Sequence, residues 1–195
     1  MQKRLLAVMG SPRPGGNTDV LVDEAMGAFT QAGGVAEKLC VCYLQIRGCQ
    51  GCLACMNGDG LDSVCAVSDD MSKLYPRLLE ADALLWATPI YMWSPTAQFK
   101  AFLDRLFPFG DYQKTRWRAA LNGKPIGLLI VYADPDPLTA GVSQTRDILK
   151  VVAEASGGHV PFIIHSTVTG RGDARNDASL VGRVRSGAAR LHDLA

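Results

Sequence analysis

Apolar residues along this chain follow two alternating patterns. Short, mainly apolar runs of strand length alternate with stretches in which apolar residues recur at helical spacing. The runs predict strands at 4–9, 36–44, 81–88, 125–133 and 160–168. The periodic stretches predict helices at 18–31, from about 69–70 onward with a kink or late start at Pro76, and at 96–107, 143–155 and 179–194.

These five strand–helix pairs predict the fold class. Strands that are apolar on both faces need helices on both sides, so the pattern indicates an α/β three-layer sandwich with a parallel sheet. Right-handed crossovers give the doubly wound strand order 2-1-3-4-5, in which a ligand binds beyond the carboxyl ends of strands 1 and 3. We therefore expect one domain, residues 1–195, with a cysteine-rich loop at about 48–68.

Charge and composition narrow the possible partners and location. The 195 residues include 20 basic and 19 acidic side chains, a net charge of +1, which disfavours a nucleic-acid or anionic-membrane surface. No run approaches the ~20 apolar residues of a membrane span, and the apolar stretch near residue 5 is shorter than that of a signal peptide. The expected location is the cytoplasm, where the six cysteines stay reduced rather than forming three disulfides.

The loop after the first strand, 10–18, has the composition of an anion site. Prolines stiffen the turn, glycines allow close backbone approach, and free amides at the start of the next helix favour a phosphate. Neither the Walker sequence nor G-x-G-x-x-G is present, so a mononucleotide phosphate fits better than a dinucleotide. An ordinary turn capped by Asn17 is the alternative. The predicted contacts are Ser11, Arg13, Gly16, Asn17 and Thr18.

Two further loops should reach the same edge of the sheet. The loop after strand 3 is apolar and aromatic, and it can form a wall and supply backbone amides for a flat heteroaromatic ring. Packing against another subunit is the alternative for this loop, and both can hold together. The loop after strand 4 should supply the remaining wall, although it is equally explained as a proline-rich turn. The predicted contacts are Pro89, Ile90, Tyr91, Met92, Trp93, Ala133 and Asp134.

Four cysteines fall within the predicted loop. Cys49, Cys52, Cys55 and Cys65 form the pattern C-x-x-C-x-x-C-x9-C, in which three closely spaced thiols and a fourth that loops back can ligate a [4Fe–4S] cube. Reduced thiols without a metal, a zinc site and a redox-active dithiol are the alternatives. Cys40 and Cys42 are expected to be small buried core residues.

Several segments together resemble a known family. The sequences GSPRPGGNT, DDM and EADALLWATPIYMWSPTAQFKAFLDR, together with the cysteine cluster, resemble the NADPH-dependent FMN reductase superfamily and, within it, the iron–sulfur flavoproteins. The resemblance covers residues 3–107 and implies a flavodoxin-like fold. It also implies an FMN phosphate at Ser11, Arg13, Asn17 and Thr18, an isoalloxazine edge at residues 89–93, and a homodimer or homotetramer with the flavin near the interface.

The resemblance leads to one principal function and two alternatives. The principal function is an FMN oxidoreductase that takes electrons from NAD(P)H and passes them to a quinone, a flavin, a metal or a redox protein. The first alternative is an electron carrier that uses FMN with a [4Fe–4S] cluster, and the second is a cofactor-free or zinc-stabilised binding module. No catalytic side chain is predicted, because the flavin itself accepts the hydride. Trp117, with Arg116 and Arg118, either covers a neighbouring flavin, grips a nicotinamide phosphate or anchors its loop.

Overall fold

A computed structural model describes residues 2–56, 64–110 and 118–195. Within these residues, five strands form a parallel sheet: β1 Arg4–Met9, β2 Val35–Cys40, β3 Ala83–Tyr91, β5 Ile126–Tyr132 and β6 Ile163–Thr167. Their order across the sheet is β2-β1-β3-β5-β6. Counted among themselves these strands follow the order 2-1-3-4-5, so the predicted α/β fold class and topology are confirmed.

A sixth strand was not predicted. Ser94–Pro95 (β4) folds back on β3 as an antiparallel hairpin, in which Ile90 pairs with Pro95 and Tyr91 pairs with Ser94. Met92 and Trp93 form the two-residue turn with φ of 48° and 60°, the geometry of a type I′ turn. A turn of this type could not be predicted from Met92 and Trp93, because side chains other than glycine and asparagine seldom adopt positive φ.

In the described part of the chain, five α-helices cover the two faces of the sheet. They are α1 Asn17–Gln31, α2 Met71–Glu80, α3 Ala97–Asp104, α4 Val142–Ala155 and α5 Ala178–Leu194, with short 3₁₀ turns at Val41–Tyr43, Ala54–Met56, Phe107–Phe109 and Asp173–Asn176. Helix α2 runs through Pro76, and its first turn closes with i→i+3 bonds from Ser72 and Lys73 to the carbonyls of Asp69 and Asp70. None of the helices in the described segments is long and apolar enough to span a bilayer.

Alternating side chains of the strands supply two separate cores. Along β1, Leu6 and Val8 face the core formed with α2, α3 and α4, whereas Leu5, Ala7 and Met9 face the core formed with α1 and α5. This alternation follows from the two-residue period of a strand. Helices cover both faces of the sheet, so a ligand can reach the strands only at their ends.

Candidate functional site

A crevice opens at the carboxyl ends of β1, β3, β5 and β6. Its volume is about 570 Å³, including the part open to solvent. The loop after β1 forms one side, and the ends of β3, β5 and β6 form the other. The lining residues are Ser11, Arg13, Gly16, Asn17, Thr18, Pro89, Ile90, Tyr91, Val131, Tyr132, Ala133, Val168, Thr169 and Arg171.

The loop after β1 brings free backbone amides to this crevice. Gly16 precedes α1, and no side chain caps the helix at that end. The loop is tightened by hydrogen bonds from the Gly16 amide to the Arg13 carbonyl at 3.0 Å and from the Arg13 amide to Ser11 Oγ at 3.3 Å. Uncapped amides at a helix start, together with a neighbouring guanidinium, form a site that stabilises an anion.

Asn17 uses its side chain within the protein. Its Nδ2 donates to the carbonyls of Val168 at 3.2 Å and Gly170 at 2.8 Å, and its Oδ1 accepts from the Ala174 amide at 3.1 Å. These bonds leave the backbone amide of Asn17 as the group that can face a phosphate. They also fasten the segment after β6 against the phosphate loop.

That segment adds a second cation to the crevice. Arg171 lines the crevice, and its Nη2 donates to the Pro14 carbonyl at 2.5 Å. Arg13 and Arg171 therefore lie on the same side of the crevice, near the start of α1. Arg171 was missed from the sequence, because nothing in the pattern around 168–174 indicates that this loop returns to residues 14–17.

Asp19 stabilises the phosphate loop through its side chain. Its carboxylate accepts from the Gly15 amide at 2.7 Å and from Lys38 Nζ at 2.5 Å. Burial alone would raise the pKa of Asp19, but the hydrogen bonds from Lys38 and Gly15 and the charge of Lys38 bring that pKa below its usual range. The carboxylate is therefore ionised in the folded protein at neutral pH.

Asp19→Asn is expected to lower the free energy of unfolding by about 1 kcal/mol at pH 7. A depressed folded-state pKa contributes stability that is complete above the unfolded-state pKa, so the difference between wild type and variant should be constant above about pH 5. The difference should shrink as the pH falls through the folded-state pKa. Urea denaturation at a series of pH values measures it, and a difference that grows in acid would contradict the assignment.

The aromatic loop after β3 reaches the crevice only in part. Pro89, Ile90 and Tyr91 line it, whereas Met92 and Trp93 form the exposed tip of the hairpin and are not among its lining residues. The indole Nε1 of Trp93 donates to the Thr139 carbonyl at 2.8 Å, which holds the tip against the loop after β5. The hairpin was not predicted, and it is the reason that Met92 and Trp93 lie apart from the other three residues.

The loop after β5 also reaches the crevice only in part. Ala133 lines the crevice, but Asp134 does not, because its carboxylate accepts from the Asp136 amide at 2.9 Å and from Thr139 Oγ1 at 3.1 Å. These bonds are those of a self-contained turn, the alternative raised for this segment. Asp134 therefore shapes the loop rather than lining the crevice.

Tyr132 begins the loop that was predicted to supply the remaining wall, and it lines the crevice although it was not among the predicted contacts. Its ring is almost fully buried, and its hydroxyl lies 3.2 Å from His165 Nδ1. Burial, followed by the charge of Asp136, raises the pKa of Tyr132, whereas burial and the nearby charges of Arg183 and Arg146 lower the pKa of His165. The position of Tyr132 at the end of a parallel strand was the signal that could have found it.

A second pocket lies beside the 3₁₀ turn at 107–109. All four cysteines of the predicted motif line it: Cys49, Cys52, Cys55 and Cys65. Its volume is also about 570 Å³, including space open to solvent, and Leu53, Val67, Phe107 and Pro108 supply apolar walls. The Gly51 amide lies 3.5 Å from Cys49 Sγ, as a donor to that sulfur.

The arrangement of these thiols differs from that of a single-ion site. Within residues 2–56, 64–110 and 118–195, no three Cys, His, Asp or Glu side chains form a group that could hold one metal ion. The thiols instead line a shared, largely apolar pocket. Residues 57–63 of the cysteine-rich loop, and Arg116 and Trp117, lie outside the described residues.

Cys40 and Cys42 differ from the prediction that they are buried core residues. Both are half-buried, and Cys40 Sγ donates to the Ser11 carbonyl at 3.3 Å. Burial and the neighbouring Cys40 raise the pKa of Cys42 to about 12. Strand β2 ends at Cys40, four residues earlier than predicted, so both thiols lie at the edge of the sheet near the phosphate loop.

Comparison with known proteins gives iron–sulfur flavoproteins among the relatives of this chain. An iron–sulfur flavoprotein of Archaeoglobus fulgidus is 34% identical over 130 residues, which cover 67% of this chain and 54% of the relative. The iron–sulfur flavoprotein MJ1083 of Methanocaldococcus jannaschii is 31% identical over 105 residues, covering 54% of this chain and 52% of the relative. The chain thus spans about half the length of the curated relatives it matches.

The fold has close counterparts among solved structures. An NAD(P)H:quinone oxidoreductase from Methanothermobacter marburgensis superimposes with a TM-score of 0.70 at 15% identity, covering 98% of this chain and 96% of that one. At this identity the likeness establishes the shared fold. The family model of NADPH-dependent FMN reductases matches residues 3–165. The chain therefore belongs to the NADPH-dependent FMN reductase family, as its phosphate loop and the segment after β3 implied.

Proposed function

We propose that the protein is an FMN-dependent oxidoreductase that takes electrons from NAD(P)H and passes them to a quinone, a flavin, a metal ion or a redox protein. The observation that carries this proposal is the crevice itself. It combines uncapped amides and two arginines at one end with Pro89, Ile90, Tyr91 and the buried ring of Tyr132 at the other. The family description names the same cofactor and donor.

Each side of the crevice has a distinct role in this proposal. The amides of Asn17 and Thr18, with Ser11 and Arg13, hold the phosphate beside Gly16, and Arg171 adds charge. The backbone of residues 89–91 and Ala133 border the flavin ring, with Met92, Trp93 and Asp134 shaping the neighbouring loops. When bound, FMN supplies a ring that accepts a hydride and can release electrons singly or in pairs. The protein orients the ring and limits access of water.

The exposed apolar side chains near the crevice support an oligomer. Met92, Trp93 and Leu138 are 81%, 59% and 81% exposed, and the Trp93–Thr139 hydrogen bond brings their loops together. We propose that this surface packs against a second subunit, in a homodimer or homotetramer with the flavin near the interface.

The proposal also covers domain organisation and location. The chain forms a single flavodoxin-like domain over 1–195, with its cysteine-rich loop at 48–68, and works in the cytoplasm without nucleic-acid or membrane partners.

The purified protein is expected to bind one FMN per chain and to consume NADH or NADPH when a quinone or ferricyanide is present. Visible absorbance measures the flavin, and nicotinamide absorbance measures turnover. Arg13→Met should weaken FMN binding by about tenfold, because it removes a charge-assisted contact to the phosphate. Arg4→Met, which removes an exposed arginine at the opposite end of the sheet paired with Glu80, is the matched control. A protein that takes up no flavin after reconstitution would contradict the proposal.

The four-thiol pocket favours a second candidate function, an electron carrier that uses FMN and a [4Fe–4S] cluster. Cys49, Cys52, Cys55 and Cys65 would hold the cluster, which supplies single-electron transfer when bound. Anaerobic purification should yield about four irons and an equal amount of acid-labile sulfide per chain. Cys52→Ser should reduce both, whereas Cys42→Ser should not, because Cys42 lies outside the pocket. Flavin without iron in the wild type would leave the first function alone.

A further inference from the structure

The two ends of the cysteine-rich loop are joined by one buried side chain. Arg105 Nη1 donates to the carbonyl of Arg47 at 3.0 Å, and Arg105 Nη2 donates to the carbonyl of Val67 at 3.0 Å. Arg47 precedes Cys49 by two residues, and Val67 follows Cys65 by two residues. The fork of the guanidinium therefore fixes the distance between the entry and the exit of the loop that carries all four thiols.

Arg105 is unusual in its burial as well as in its position. It follows the last residue of α3, it is 1% exposed, and it lines the four-thiol pocket. Asp69, whose side chain is 6% exposed, pairs with it at 2.7 Å, and the Tyr75 hydroxyl donates to its carbonyl at 2.7 Å. A cation held this firmly in the interior needs a specific role, because desolvating it is costly.

One donor of Arg105 is left over. Its Nε is buried and has no hydrogen-bond partner in the described part of the chain. Leaving a buried hydrogen-bond donor unpaired costs free energy, so such a group in a native structure indicates a functional role or an acceptor that binds from outside the chain. The four thiols of the same pocket, as thiolates around a cluster, would offer sulfur acceptors and a net negative charge.

We propose that Arg105 is the positioning residue of the four-cysteine pocket. Its fork places Cys65 beside the first three thiols, and its charge and free Nε–H stabilise the negative charge of a bound cluster. The inference rests on the second candidate function, and it concerns a residue outside the cysteine motif. A positive charge beside the cluster favours the reduced form, so Arg105 raises the reduction potential and Asp69 lowers it.

Two substitutions that remove side chains of opposite charge test the role of Arg105. Arg105→Met is expected to shift the cluster potential to a more negative value, and Asp69→Asn to a less negative value. Arg105→Lys keeps the charge and loses the fork, so its remaining cluster should titrate close to the wild-type potential at lower iron occupancy. Potentiometric titration followed by electron paramagnetic resonance measures the cluster, and the flavin potential of the same sample is the internal reference.

The control is Arg185→Met, which removes an arginine that pairs with Glu24 on the opposite face of the sheet. It should leave the cluster potential and iron content unchanged. A purely structural arginine would lower iron occupancy without moving the potential of the clusters that remain. An Arg105→Met protein with the wild-type potential would therefore overturn the assignment of charge to this residue.

A measurement without metal separates the fork from the cluster. In the metal-free protein, amides of 47–56 and 64–69 should exchange hydrogen faster in Arg105→Met and Arg105→Lys than in wild type, while those of α1 should not change. Should Arg105→Met fail to fold, Arg105→Lys decides the exchange readout and Asp69→Asn decides the potential readout. Wild type that binds no iron and sulfide would overturn the carrier function. Wild type that binds about four irons, with variants identical to it in potential and exchange, would overturn the inference alone.

Discussion

Gly10→Ala is expected to lower the free energy of unfolding by about 2–3 kcal/mol. A Cβ at Gly10 would lie 2.6 Å and 2.7 Å from Cδ2 and Cβ of Phe99, which is fully buried. Neither side can move easily, since the Gly10 amide donates to the Ala87 carbonyl at 2.8 Å and its carbonyl accepts from Thr96 Oγ1 at 2.7 Å. Chemical denaturation of the apoprotein measures the loss.

The double variant with Phe99→Ala shows whether this close approach is the cause. Phe99→Ala removes the contacts with Cδ2 and Cγ but keeps the Cβ contact at 2.7 Å, so the double variant should be more stable than the sum of the two single effects predicts, by about 1 kcal/mol. Additive effects would mean that the ring of Phe99 is not the source of the strain. Gly27→Ala is a matched control, because a Cβ at that helical position meets nothing within 4 Å.

Asn17→Ala is expected to lower FMN affinity by about 100-fold and stability by about 2–3 kcal/mol. The substitution removes the hydrogen bonds to Val168, Gly170 and Ala174, which fasten the segment carrying Arg171 against the phosphate loop. Without them the backbone groups of that segment lose their partners, and the second guanidinium loses its place near the start of α1. Fluorescence titration of the apoprotein with FMN measures the affinity.

Riboflavin separates the two causes of weaker binding. It has the same ring without the phosphate, so its affinity should fall much less in Asn17→Ala than that of FMN. A parallel fall for both ligands would show that the variant disturbs the whole crevice. Asn17→Asp should retain the bond from the Ala174 amide but lose both donors and add a negative charge, which makes FMN binding weaker still.

The sequence was sufficient for the sheet because its strands are marked by burial alone. Runs such as 83–87 and 125–133 are apolar without interruption, and only a strand covered on both faces requires this. The loop after β1 was equally predictable, since its prolines and glycines follow a strand and precede a helix. In both cases the information is local in the sequence.

What the sequence could not give depends on contacts between distant segments. Arg171 reaches the phosphate loop only because Asn17 binds the segment after β6, more than 150 residues away. Arg105 carried no signal within its helix, because an arginine at the end of a helix is usually exposed. Met92 and Trp93 were assigned to the crevice, although the hairpin that holds them apart depends on an unusual turn.

Helix α3 connects the phosphate loop with the four-thiol pocket and sets the orientation of one relative to the other. Thr96 caps its start and contacts Gly10 at the phosphate loop, and Arg105 follows its last residue at the four-thiol pocket. One inserted residue within Ala97–Asp104 would turn Arg105 by about 100° relative to Phe99 and advance it by about 1.5 Å. Relatives that keep both sites should therefore keep the interval between Thr96 and Arg105 unchanged, however much their cysteine spacing varies.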